Sequence, residues 1–202
     1  LDEVEKKEEE KPLIPEEAYL LSGVHIGTRQ KSADMKRFIY KVRDDGLYLL
    51  DVKETDRRIK LAAKFLSAYP PERVAVISSR QYGQKPAKLF AELTGGMAML
   101  GRFTPGTFTN PDFSGYQEPD VVLLTDPLMD SQALKESSVI GMPVIAICDT
   151  NNDLKNLDLI IPANNKGRKS LALIYFLLTR EVLRLRGREL ELKEEDFEES
   201  FE

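Results

Sequence analysis

The chain has 202 residues with 29 basic and 34 acidic side chains, a formal net charge of −5, one histidine and one cysteine. A single cysteine excludes an intramolecular disulfide, and a single histidine excludes a histidine-built metal cage or a Ser-His-Asp triad. No signal peptide, membrane-spanning run or internal repeat is visible, so a cytosolic setting without membrane contact is expected.

The first residues, LDEVEKKEEEK, are poor in apolar side chains and rich in like charge, which predicts an acidic disordered tail over residues 1–14. Pro15-Glu16-Glu17 opens a short helix ending near Gly23, with proline and acids where a helix start prefers them. Residues 28–43 are polar and strongly basic and read as loop and extended chain. Leu47-Tyr48-Leu49-Leu50 reads as a strand, and Lys53 to Ala68 places Ile59, Ala62, Ala63 and Leu66 at helical spacing. A strand at Val74–Ile77, a helix from about Pro86 to Leu93 closing on Gly95-Gly96, and a strand at Met97–Leu100 follow. Gly101-Arg102-Phe103-Thr104-Pro105-Gly106-Thr107 is loop.

The richest stretch runs from Pro119 to Arg188. Val121-Val122-Leu123-Leu124, Val144-Ile145-Ala146-Ile147 and Leu159-Ile160-Ile161 are continuous apolar runs rather than alternating ones. That is the pattern of strands covered on both faces in a parallel sheet. Helices are expected at Pro127–Val139 and Lys166–Arg186. Repeated β-α order predicts an α/β fold: a three-layer α/β/α domain with a mainly parallel sheet, flavodoxin-like or Rossmann-like. Each of the three runs ends in polar residues, Thr125-Asp126-Pro127, Cys148-Asp149-Thr150-Asn151-Asn152 and Pro162 to Lys169, at the edge where open α/β sheets bind ligands.

Charge is divided unevenly. Residues 1–17 sum to −5 and residues 189–202 to −7, whereas residues 18–188 sum to +7. A single basic domain over residues 15–188 between acidic ends suits a nucleic-acid partner better than the overall charge does. Candidate RNA contacts are Arg29, Lys31, Lys36 and Arg37 in the first basic run, with Phe38 and Tyr40 interleaved; Arg80 and Lys85 before the Pro86 helix; Arg102 in the Gly/Pro loop; and Lys166, Arg168 and Lys169 where the last helix starts. Cations are unfavourable at a helix N-terminus, so their presence there points to phosphate. Solvated loops that merely collect lysine and arginine are the competing account. The row Arg180, Arg184 and Arg188 is a further cationic stripe or an ordinary solvated face.

PDVVLLTDPLMDSQALKESSVIGMPVIAICDT followed by NLDLIIPANNKGRKSLALIYFLLTREVL resembles the S-two family of small-subunit ribosomal proteins, and LLSGVHIG (20–27) looks like the same family's N-terminal motif. The likeness spans roughly residues 15–188 and fixes Pro119, Asp126, Asp130, Glu136, Gly141 and Pro143 at set offsets. Bacterial relatives carry a long helical hairpin in the first half, absent here, so the chain resembles the archaeal and eukaryotic branch that includes the laminin-receptor-like SA protein. The resemblance implies a structural constituent of the small ribosomal subunit, on its back near where head meets body, binding small-subunit ribosomal RNA and neighbouring ribosomal proteins in assembly and translation. It implies no cofactor, no small-molecule substrate and no catalysis. A non-ribosomal interaction role, as proposed for the laminin-receptor-like relatives, is one alternative.

Sharper chemistry is set aside. His25 reads as a structural histidine and Cys148 as inert packing. Asp126, Asp149 and Asp153 could hold a metal at the sheet edge, which keeps a phosphate-ligand-binding metal-dependent enzyme as the other alternative; capping and turn roles explain them without one. Neither nucleotide-binding glycine motif is present.

Overall fold

The computed structural model describes residues 11–198. In chain order come helix α1 (Glu16–Ser22), a 3-10 turn (Asp34–Phe38), the antiparallel hairpin β1 (Ile39–Val42) and β2 (Tyr48–Leu50), and helix α2 (Val52–Ser67). Then follow β3 (Val74–Ser78), α3 (Gln81–Thr94), β4 (Met97–Leu100), β5 (Val121–Leu124), α4 (Ser131–Ile140), β6 (Val144–Cys148), β7 (Leu159–Pro162) and α5 (Arg168–Leu185). Strands β3 to β7 form one parallel sheet in the order β4-β3-β5-β6-β7. This is the expected α/β three-layer architecture, and the order reverses between β3 and β5, the crevice where such sheets receive ligands.

Alternate residues of each central strand feed two cores, and that explains why the strands are apolar throughout. Val74, Val76, Val121, Leu123, Ile145, Ile147 and Ile161 face α2, α3 and α5. Ala75, Ile77, Val122, Leu124, Val144, Ala146 and Cys148 face Ala133 of α4 together with Met35, Phe38, Phe103 and Phe108 from irregular chain. Each fully buried aliphatic side chain stabilises the fold by about 1.5–3 kcal/mol. The second face is thus roofed largely by loops.

Three helix starts differ from expectation. Helix α3 begins at Gln81 and carries the buried Pro86 inside it; a proline reads as a helix opening, yet one missing N–H is tolerated when the surrounding helix is well packed. Its first turn lies so close to the sheet that a Cβ on Gly83 would stand 2.4 Å from Ser78 Oγ and 2.8 Å from Thr125 Cγ2. Helix α4 starts only at Ser131, because Asp126 Oδ1 accepts the Leu128 N–H and holds residues 127–130 in a turn. Helix α5 starts at Arg168, after Asn164 Oδ1 has accepted the N–H groups of Lys166 and Gly167.

The chain between β4 and β5 has no helix and is stapled by one side chain. Glu136 on α4 accepts from Gly106 N (2.7 Å), Phe108 N (3.0 Å) and Thr109 Oγ1 (3.2 Å). Burial alone would raise its pKa, but these donors hold it below the usual glutamate value. Glu136→Gln, which turns one acceptor oxygen into a donor facing N–H groups, is expected to destabilise the fold by about 1–3 kcal/mol, read as a lower denaturant midpoint. An unchanged midpoint would show that the loop holds itself.

The acidic end also differs from a free tail over its described part. Leu190 and Leu192 pack on the helical core, and a further 3-10 turn, Glu194–Phe197, puts Phe197 fully out of solvent with its ring 5.9 Å from that of Phe176. Three apolar residues set among acids suffice to anchor the segment. At the other end Leu13 and Ile14 pack on the same core, and Asp56 accepts the Leu13 N–H; residues 1–10 of the expected N-terminal tail lie outside the described residues.

Candidate nucleic-acid interface

The first basic run is tied to the sheet by backbone contacts. Ile26 bridges Leu49, Thr28 N donates to Thr150 Oγ1 at 3.0 Å, and Ser32 N donates to the Thr150 carbonyl at 2.9 Å. Gly27 permits this approach, since a Cβ there would lie 2.9 Å from the Tyr48 carbonyl oxygen and 2.4 Å from Thr150 Cγ2. Within the run Met35 and Phe38 turn inward and are buried, leaving Arg29, Lys31, Lys36 and Arg37 exposed. Lys36 and Arg37 line an open groove of about 760 Å³ with Ala33, Asp34 and Leu154. Lys31 Nζ stands 5.0 Å over the Tyr48 ring, and Arg37 4.9 Å over Phe38. Tyr40 is 73% exposed. Of the two interleaved aromatics only Tyr40 can stack on a base.

His25, at the entrance to this run, is half-buried, and burial lowers its pKa below 6.5 against the pull of the Tyr19 carbonyl. A histidine with a lowered folded pKa leaves the unfolded chain binding more protons as pH falls. The stability it contributes is full above about pH 6.5 and declines as pH drops through the lowered value. Being the only histidine, it makes a clean test: His25→Asn should flatten the loss of stability between neutral pH and the carboxylate range. Parallel stability curves for both proteins would refute this.

At the sheet's C-terminal edge the cations face inward. Arg80 donates to Asp126 Oδ2 through Nε at 2.7 Å, and Asp126 Oδ1 accepts from Asn152 Nδ2 at 3.0 Å. Lys166 Nζ binds Asp149 Oδ2 and, at 2.8 Å, Asn151 Oδ1. Both aspartates are 1% exposed. Asp130 accepts the N–H groups of Ser79 and Asp126, and burial raises its pKa. The loops after β3 and β5, and those after β6 and β7, are therefore bridged by the protein's own ion pairs, and beside Arg80–Asp126 an open groove of about 430 Å³ remains, lined by Ser79, Arg102, Phe103, Pro105, Asp130 and Gln132. Among the described residues no His, Cys, Asp or Glu group is arranged to hold a metal ion, so the aspartates that might have bound one are neutralised by Arg80 and Lys166 instead.

Two further candidates also have partners. Lys85 Nζ donates to the Glu198 carbonyl at 2.6 Å, and Arg168 Nη2 lies 2.7 Å from Glu198 Oε1. Arg102 and Lys169 are exposed, with no ion-pair partner among the described residues. Phe103, beside Arg102, is buried against Phe108 at 5.1 Å and cannot stack on a base. In the helical row, Arg180 and Arg184 both pair with Glu181.

Of the ten candidates, then, Arg29, Lys31, Lys36, Arg37, Arg102 and Lys169 are turned to solvent, and Arg80, Lys85, Lys166 and Arg168 are engaged within the chain. At Lys166 the cation expected to point to phosphate has a partner within the chain instead. That lysine precedes the helix and offsets a buried carboxylate. The signal was available: an aspartate within two residues of a buried strand's end needs a partner, and Asp126 and Asp149 each stand there.

The family model described as Ribosomal protein S2 matches residues 19–114 and 113–184. A small ribosomal subunit protein uS2 from Methanoregula boonei is 59% identical over 196 residues, covering 97% of this chain and 95% of the relative. A small ribosomal subunit protein uS2 from Haloquadratum walsbyi is 58% identical over 186 residues, covering 92% of this chain and 67% of the relative. Both organisms are archaea, in keeping with the branch indicated by the missing helical insertion.

Proposed function

The chain belongs to the ribosomal protein S2 family, and on that premise we propose that its exposed cations hold small-subunit ribosomal RNA while the remaining surface meets neighbouring ribosomal proteins. It is a structural constituent of the small ribosomal subunit in the cytoplasm. Residues 15–188 are read as the RNA-binding unit, with Arg29, Lys31, Lys36, Arg37, Arg102 and Lys169 as direct phosphate contacts. Arg80 and Lys166 act one step back, by holding the loops in shape.

The observation that carries this reading is the contrast between two basic regions. The 28–43 segment fastens its backbone to the sheet and turns its cations outward, whereas Arg80 and Lys166 at the sheet edge are taken up by Asp126 and Asp149. That arrangement gives a rigid cationic surface without base-reading geometry, which suits backbone recognition. The phosphate-ligand enzyme is not supported, because two of its three aspartates, Asp126 and Asp149, are already paired.

Isolated protein should bind structured RNA with an affinity that falls steeply between low and physiological salt, since each neutralised phosphate releases counterions. Replacing Arg29, Lys36 and Arg37 with alanine should weaken binding and flatten the salt slope. Binding that ignores salt, or a slope untouched by the triple change, would overturn the assignment.

A further inference from the structure

We infer that the acidic segment Glu194–Glu198 is a displaceable mimic of RNA phosphate, seated on a basic patch formed by Lys85 of α3 with Arg168 and Lys169 of α5. The inference rests on the RNA-binding reading above and deepens it, by naming a surface that the protein's own chain covers before RNA does.

The geometry is that of a ligand in a site. The Glu198 carboxylate lies 2.7 Å from Arg168 Nη2, and its backbone carbonyl accepts from Lys85 Nζ at 2.6 Å. Cations from two different helices thus converge on one acidic residue. Phe197, the residue before it, is fully buried with its ring edge-on to Phe176 of α5. The ring fixes the segment in place, and the carboxylate is delivered to the cations by its position in the chain.

The electrostatics make the seat weak. Glu194, Glu195 and Asp196 lie within one short turn and Glu198 directly follows it, and like charges so close repel one another. Burial raises the Glu194 pKa and its acidic neighbours raise it further, with Lys169 pulling the other way. Arg168 and Glu198 are both partly exposed, so their attraction is screened by solvent and by salt. An RNA strand offers a denser line of negative charge to the same cations, while Phe197 can remain docked as the acids swing clear. Lys85 and Arg168 then change partner from Glu198 to phosphate, and Lys169 needs no release.

The test keeps Phe197 in every variant and uses full-length protein with a labelled RNA hairpin at low salt. Glu194→Gln with Glu198→Gln removes two charges at the seat. Glu189→Gln with Glu191→Gln removes the same number from exposed positions nearby and controls for net charge. The first pair should bind RNA several-fold more tightly than the parent and the second pair only slightly so. Adding Lys85→Ala, Arg168→Ala and Lys169→Ala should abolish the gain. Equal gains from both pairs, a gain that survives loss of the three cations, or no gain at all would each overturn the mimic while leaving salt-dependent RNA binding intact. Absence of salt-dependent binding from every protein would instead overturn the RNA reading, and the mimic with it.

Discussion

Lys166→Glu should destabilise the fold by about 3 kcal/mol, whereas Lys169→Glu, three residues on, should change stability by less than about 0.5 kcal/mol. The two side chains look alike in sequence, but Lys166 neutralises Asp149, which is 1% exposed, and Lys169 points to solvent. Breaking a buried ion pair leaves a stranded charge, and reversal adds repulsion to it. The figure is set at the low end of the usual range because the Lys166 side chain is 34% exposed, so water shields part of the effect. Thermal melts at neutral pH would separate the two variants, and Lys166→Met with Asp149→Asn should recover most of the loss by removing both charges. Incorporation into the small subunit should suffer in Lys169→Glu without any change in melting. Equal melting of both single variants would mean that Asp149 does not need its lysine.

Phe197→Ala should cost about 3–5 kcal/mol, the range for removing a buried aromatic ring. The ring is fully buried and packs across Phe176, so its loss leaves a hole against α5 that the short acidic turn cannot fill. Truncation at residue 190 should be at least as damaging, because it also removes Leu192. A melting temperature unmoved by Phe197→Ala would show that the segment only rests on the domain.

What the sequence made legible follows from how local each cause is. The inner parallel strands β3, β5 and β6 were readable because two-sided burial writes itself into consecutive residues such as Val144 to Ile147. The start of α3 was misplaced because Pro86 is a stronger local sign than the packing that overrides it. Pairing of charges was illegible for a different reason: Arg80 meets Asp126 46 positions away, and no periodicity links them. Among the interleaved aromatics, Phe38 ends a 3-10 turn facing the core and Tyr40 lies on an exposed hairpin strand, a division that depends on where the turn stops. The acidic end hid its order in composition, since eight carboxylates outweigh the leucines and phenylalanine that anchor it.

Helix α5 packs against both α2 and α3 and supplies Leu171, Ile174, Leu177 and Leu178 to the core they share. The element in the middle of that layer is thus the last α-helix among the described residues, and it is made after every strand it covers. Until residues 168–185 have left the exit tunnel, Val74, Val76, Leu123 and Ile147 have no complete cover, and the chain presents apolar strands beside cationic loops. Closure of this domain must wait for residues 168–185, and for that interval the nascent protein depends on chaperones or on prompt folding to stay out of aggregates.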